Sequence, residues 1–252
     1  VAARFLTLRA TQFEFERRFW IILAIYVVGF SLSAFDHTGF IVGLRHLIAP
    51  SIAPHTPEAA VFGHVVIGAG ALLVFLAAAL RTWGAAYLRT DVVHDTAQHS
   101  EALVADGPFR YVRNPLYFAN LPMAAGLGVL ATRLGWFFLI GASWLFVYRL
   151  IFREEEALRQ SQGEWYRAYL KAVPRFWPSF TPCVPPGNLS PHWGQAFAGE
   201  SFIWIFGIAE LCVAITLNMK IAGIVFVLGF AAHFLVIPLV RRRTGKKQSG
   251  KG

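Results

Sequence analysis

Two stretches of this 252-residue chain concentrate side chains able to bind and react with a charged small molecule. The first runs Leu103-Val104-Ala105-Asp106-Gly107-Pro108-Phe109-Arg110-Tyr111-Val112-Arg113-Asn114-Pro115-Leu116-Tyr117. The second is Arg153-Glu154-Glu155-Glu156-Ala157-Leu158, followed by Gly163, Tyr166, Tyr169 and Val173-Pro174-Arg175. Between them they offer fixed cations (Arg110, Arg113, Arg153), carboxylates (Glu154, Glu155), aromatic rings and backbone exposed at a Gly-Pro turn. A guanidinium grips a carboxylate, a carboxylate takes an ammonium, and rings hold a flat base or a cationic centre. The mixture suits a zwitterionic, adenine-bearing sulfonium.

For the two stretches to wall one pocket, the chain between them must double back, and composition says in what medium it does so. With 56% hydrophobic residues, 15% charged and a mean hydropathy of +0.51, the chain has too little polar surface to wrap a soluble globule of its size. A bilayer-crossing helix needs about 20 mostly apolar residues, and six segments qualify as candidates: 19–35, 59–80, 116–132, 134–152, 202–217 and 221–240. Their runs are continuously apolar rather than alternating, which favours helices over barrel strands. The expected fold is therefore all-α, a multi-pass transmembrane bundle of about six helices, with the first apolar run kept as a helix rather than read as a secretory leader. The third and fourth helices, separated by little more than Arg133, form a tight antiparallel hairpin with Gly135 easing the turn. Pro122, Gly126 and Gly128 bend its first arm. The second arm runs on past the membrane, bends at Gly163 and ends at Pro174.

Around that hairpin the chain divides as follows. Residues 1–18 form an interfacial segment, 19–58 a first helix and an external loop without regular structure, and 59–180 the core with the pocket. Residues 181–240 form a linker and an extra hairpin, 176–200 being irregular, and 241–252 a basic disordered tail drawn to anionic lipid.

The formal charge of +9 raises the question of nucleic acid, but the position of the cations answers it. Of the 23 Lys and Arg, only Arg45, Arg133 and Lys220 fall in segments that this topology puts outside. Both termini and the two reactive stretches are accordingly expected on the cytoplasmic side, and no nucleic-acid partner is needed. Cys183 and Cys212 make neither a spaced disulfide framework nor a metal motif, so no metal is expected. Blander readings attach to several residues. Glu155 and Arg159, four apart, could be a solvated helix pair; Trp83, Tyr87, Trp165 and Tyr166 read as interfacial anchors; His94 and His99 read as solvated loop side chains. Inside the apolar runs, His64, Glu210 and His233 are functional candidates by default, and Glu210 lies at a depth where it could bond His64.

The two stretches resemble the isoprenylcysteine carboxyl methyltransferase and phospholipid N-methyltransferase superfamily. Its hallmark, L-V-x-x-G-P-Y-R-Y-x-R-H-P-x-Y followed after a helical hairpin by E-E-x-x-L, G, Y and V-P, is met here by LVADGPFRYVRNPLY and EEEALRQSQGEWYRAYLKAVPR. The resemblance covers roughly residues 60 to 180. It implies S-adenosylmethionine at the cytoplasmic end of the hairpin, bound by Leu103, Val104, Gly107, Phe109, Arg110, Arg113, Asn114, Tyr117 and Glu155, with Arg113, Arg153 and Glu154 acting on the reacting groups. A lipophilic acceptor would reach the methyl group from within the membrane: an isoprenylcysteine carboxylate, a phospholipid amine or a small lipophilic acid or thiol. Asn114 stands where the family usually has His, which removes that side chain as a base and leaves Glu154 and Glu155. The segment 202–240 lies outside the shared core. The alternatives are an NADPH-dependent sterol-type reductase, suggested by Asn114, and a non-catalytic lipid-binding membrane protein.

Overall fold

A 31-residue apolar helix, Pro57–Tyr87, is the column on which the rest of the chain is packed. Thr56 caps its start by accepting the Ala59 N–H, Pro57 fits the first turn, and the small residues Gly70, Ala71, Ala77 and Ala78 open a face on which other backbones can lie close. The computed structural model describes residues 9–88 and 106–249. In chain order its helices are α1 (Gln12–Glu16), α2 (Arg18–Ser31), α3 (Phe40–Ile48), α4 (Pro57–Tyr87), α5 (Pro115–Phe118), α6 (Asn120–Leu127), α7 (Arg133–Ala172), α8 (Trp193–Thr216) and α9 (Met219–Ser249). Single 3-10 turns lie at Leu32–Ala34, Gly107–Arg110 and Gly128–Leu130. Among the described residues no strand is formed, only one isolated bridge between Gly39 and Thr132.

The architecture is all-helical, and each of the six expected segments falls on an apolar helix. Three of these, α4, α7 and α8, are long and apolar enough to cross a membrane, while Arg18–Ala34, Pro115–Leu130 and Met219–Leu235 are apolar but shorter. Large apolar side chains stand out from the bundle along these helices, among them Val65 and Leu72 on α4, Phe137 and Leu145 on α7, and Ile215 on α8. A water-facing surface would not carry so continuous an apolar belt, and a lipid-facing one would.

The interior is held by close backbone approach. A Cβ on Gly126 of α6 would come within 2.5 Å of the Gly70 carbonyl oxygen of α4, and one on Gly135 of α7 within 2.5 Å of the Gly29 carbonyl oxygen of α2. Gly135 therefore serves the α2–α7 contact rather than the turn. The turn is made instead by Thr132, whose hydroxyl accepts the Gly135 N–H, and by Trp136, whose indole N–H donates to the Ala125 carbonyl across the hairpin.

Three expectations are corrected. The region 36–58 contains α3, an amphipathic helix whose Phe40 ring stacks on Trp136 at 4.7 Å; the prolines that argued against structure all lie beyond its end. Helix α8 starts at Trp193, within the segment read as an irregular linker, because its aromatic residues pack on α4 even where the sequence is polar. The tail also continues α9 as helix to Ser249 rather than leaving it at 240, with Arg and Lys residues on either side of Thr244 and Gly245 and no proline after Pro238. The bend at Gly163 is present, with φ +62° and ψ −136° inside α7, and the helix stops two residues before Pro174.

At the hairpin end of α7, Asp36 accepts hydrogen bonds from the Thr38 and Leu134 N–H groups, each at 3.0 Å, and from Arg133 at 3.2 Å. These bonds, the Leu134 N–H first, hold its carboxyl down at about 2. Because the folded value lies below the unfolded one, the stability it contributes is complete above the ordinary carboxylate range and is lost as pH falls towards 2. Thermal unfolding of the wild type and Asp36→Asn is expected to differ by a constant amount above pH 5 and to converge on acidification. A difference independent of pH would contradict the assignment.

Candidate active site

The Gly107–Arg110 turn is folded by what its residues cannot do elsewhere. Gly107 has φ +54°, and a Cβ there would fall 2.3 Å from the Tyr87 ring, so glycine meets both a backbone and a space requirement. Replacing it with alanine combines a left-handed penalty of about 1–2 kcal/mol with overpacking of about 1–3 kcal/mol. Gly107→Ala is therefore expected to lower the unfolding temperature clearly, whereas Gly141→Ala, with open space around it, should not. Equal effects of the two in a detergent thermal melt would refute this account of the turn.

The buried Asp106, ahead of the turn, accepts the Gly187 and Leu189 N–H groups, both at 2.8 Å. Arg110 donates its Nε–H to the Val184 carbonyl at 2.9 Å, and its own carbonyl takes the Cys183 N–H at 2.8 Å. The Ser179 N–H bonds the Tyr111 carbonyl, and the Arg113 N–H bonds the Pro174 carbonyl. The segment read as an irregular linker is without helix or strand as far as His192, and it is laced along the motif as a strap.

The second stretch meets the first on the inner turns of α7. Asn114 donates from Nδ2 to Glu155 Oε1 at 3.2 Å and to the Arg175 carbonyl at 2.9 Å. Arg175 donates its Nε–H to Glu155 Oε2 at 3.0 Å, and Arg113 Nε stands 3.5 Å from Glu155 Oε1. Glu155 is 3% exposed, and Arg113 is nearly as deep. Burial pulls the Arg113 guanidinium below its usual range, and the Glu155 carboxylate opposes the shift. One step along α7, Tyr117 donates its hydroxyl to Glu154 Oε1 at 2.7 Å. Tyr169 donates to the Phe109 carbonyl at 2.7 Å, and Tyr166 packs beside it in a cluster with Val173.

Of the residues expected to form the site, Gly107, Phe109, Arg110, Arg113, Asn114, Tyr117, Glu154 and Glu155 are brought to one end of the bundle. Arg153 is adjacent in sequence but turns the other way, donating to the Ala10 carbonyl at 3.1 Å and to Gln12. Leu103, Val104, His94 and His99 lie outside the described residues. Glu155 does not pair with Arg159, which takes Glu156 instead. Tyr166, expected at the interface, is buried at 2% exposure. The pairing of His64 with Glu210 that their depths would allow is not formed: His64 Nδ1 bonds the Ala214 carbonyl and His233 bonds Ser201. Arg175, Asp106 and Tyr169 hold the site together without having been singled out as site residues; the only sequence signal for Arg175 was its place after Val173-Pro174.

Residues 65–164 match the phospholipid methyltransferase family. This is a family of membrane methyltransferases related to the isoprenylcysteine carboxyl methyltransferases, so the resemblance read from the two stretches is borne out over this part of the chain. The matched range includes α4 from its third turn, the motif, the α5–α7 hairpin and Glu154–Glu155. A curated relative, the cobalt-zinc-cadmium resistance protein CzcN of Cupriavidus metallidurans, is 28% identical over 109 residues, which are 43% of this chain. The match spans 47%, about half, of that protein's length. No solved structure matches the chain.

Proposed function

We propose that this membrane protein transfers a methyl group from S-adenosylmethionine to a lipophilic acceptor, with six membrane-spanning helices and both termini and the site on the cytoplasmic side. The observation that carries the reading is the meeting of Asn114 with Glu155 and of Tyr117 with Glu154, across the family-matched hairpin. When bound, the cofactor supplies an electrophilic methyl group on a sulfonium. The chain's own residues divide the remaining work. Arg113 is buried and ion-paired through Nε with Glu155 at 3.5 Å, which holds a guanidinium at the site for the cofactor's carboxylate. Arg110 bonds Val184 through Nε, and among the described residues its terminal nitrogens are left for a carboxylate. Glu154 Oε1 is held by Tyr117, which leaves Oε2 for an ammonium.

Glu155 is committed to Arg113, Arg175 and Asn114, and positions the first stretch rather than moving a proton. With Asn114 a hydrogen-bond donor and Glu155 so engaged, the site is poorer in bases than the sequence alone suggests. An acceptor that is already ionised, a carboxylate or thiolate, fits it better than a neutral amine. The test is purification with native lipid, addition of S-adenosylmethionine and mass spectrometry. A co-purified lipophilic species is expected to gain one methyl group, and to fail to do so with Glu155→Gln. No methylated species from well-folded protein, with saturable NADPH binding instead, would replace this reading with the reductase.

A further inference from the structure

Between α4 and α8 lies a cavity of about 320 Å³, lined chiefly by Leu76, Ala79 and Trp83 of α4 and by Trp193, Phe197 and Trp204 of α8. The polar group in its wall is already satisfied, since the Thr82 hydroxyl accepts the Trp204 indole N–H at 3.0 Å. That bond also fixes the Trp204 ring, and the rings of Trp193, Phe197 and Trp204 follow one another along α8 at 6.4 and 5.8 Å. An occupant meets only apolar and aromatic surface. The volume is at the low end of the roughly 300–1,000 Å³ range of small-molecule sites and suits a single hydrocarbon chain.

One end of this groove adjoins the motif. Trp83 lies 5.8 Å from the Tyr111 ring, immediately after the Gly107–Arg110 turn. Gly84 packs against Leu116, a Cβ there falling 2.4 Å from its side chain. At the same level Arg81 and Glu200 form a two-point ion pair at 2.7 and 3.2 Å, a polar border at which a hydrocarbon must give way to a headgroup.

We propose that this groove binds the single apolar chain of the methyl acceptor, its polar end emerging beside Tyr111 and the Arg81–Glu200 pair. The identification of that chain with the acceptor rests on the methyl-transfer reading. Three facts favour this occupant over ordinary bilayer lipid: the groove is concave and aromatic where the neighbouring lipid face of α4 offers Val61, Val65 and Leu72; it is closed to polar groups along its length; and it ends at the motif. Because α8 lies outside the family-matched residues 65–164, acceptor selection is assigned to a helix that the match does not include.

The full chain in phosphatidylcholine nanodiscs, photolabelled with a sixteen-carbon fatty acid carrying a mid-chain diazirine, tests the proposal. Labelling is expected to concentrate on the segment from Trp193 to Trp204, well above that of Phe137 and Leu145 on the lipid face of α7. Ala79→Trp, which fills the groove from an exposed position, should remove that excess, while Val65→Trp should leave it. Uniform labelling of all lipid-facing segments, or an excess that survives Ala79→Trp, overturns the groove. S-adenosylhomocysteine titration of the same samples separates the two readings. Binding unchanged in Ala79→Trp supports the acceptor assignment, and groove labelling on a wild-type protein that binds no S-adenosylhomocysteine overturns it.

Discussion

Glu155→Gln is expected to destabilise the protein by about 3–5 kcal/mol, because it leaves the Arg113 guanidinium buried without its carboxylate. The side chains are 9% and 3% exposed, so solvent does little to screen the loss. Arg175 is more exposed, at 35%, and its bond to Glu155 adds less. Glutamine can still accept from Asn114, so the motif should loosen rather than unfold outright. For a chain of this size the change corresponds to roughly 6–20 °C in unfolding temperature. Affinity for S-adenosylhomocysteine should fall together with it, since Arg113 and Asn114 lose their common anchor. A thermal melt in detergent that leaves the midpoint unchanged would show that Glu155 is not the keystone the geometry makes it.

The second large effect is expected at Glu200. Its carboxylate takes both the Nε–H and an Nη2–H of Arg81, with side chains 10% and 20% exposed. Arg81 also reaches the Leu116 carbonyl at 3.5 Å, so the pair joins α8, α4 and the start of the hairpin. Glu200→Gln leaves a half-buried guanidinium uncompensated and should cost about 3 kcal/mol, the lower end for a buried pair, because Arg81 retains some solvent. The double variant Arg81→Leu with Glu200→Leu, which removes both charges, should recover much of that stability, since an apolar pair of similar volume is often neutral or better. If the double variant is no more stable than Glu200→Gln alone, the pair is not what joins α8 to α4.

What could be read from the sequence was whatever leaves a trace in residue type and spacing. Continuous apolar runs marked the helices, Gly163 and Pro174 marked the bend and end of α7, and the Arg133 junction implied the hairpin that brings Asn114 to Glu155. The expectation that they meet did not depend on knowing any side-chain direction. Directions were what the sequence withheld. Residue type alone does not say which way three consecutive Glu residues point, and α7 turns Glu155 inward, Glu154 towards Tyr117 and Glu156 towards Arg9 and Arg159. Arg153 follows the same rotation away from the motif and clasps the N-terminal segment. The strap from Pro174 to Leu189 was illegible for another reason: on its own side most of its bonds are made by backbone groups, whose partners no side chain of the strap announces. Helix α3 was hidden by the prolines that follow it, and the first turns of α8 by polar residues that sit between packing aromatics.

The central claim is that the two stretches make one cofactor site, and isothermal titration of the purified 252-residue chain with S-adenosylhomocysteine tests it most directly. The account predicts saturable one-site binding by the wild type, weakened by Glu155→Gln and by Arg113→Ala in protein that remains folded. No binding by a folded wild type, or the same affinity in both variants, would contradict it.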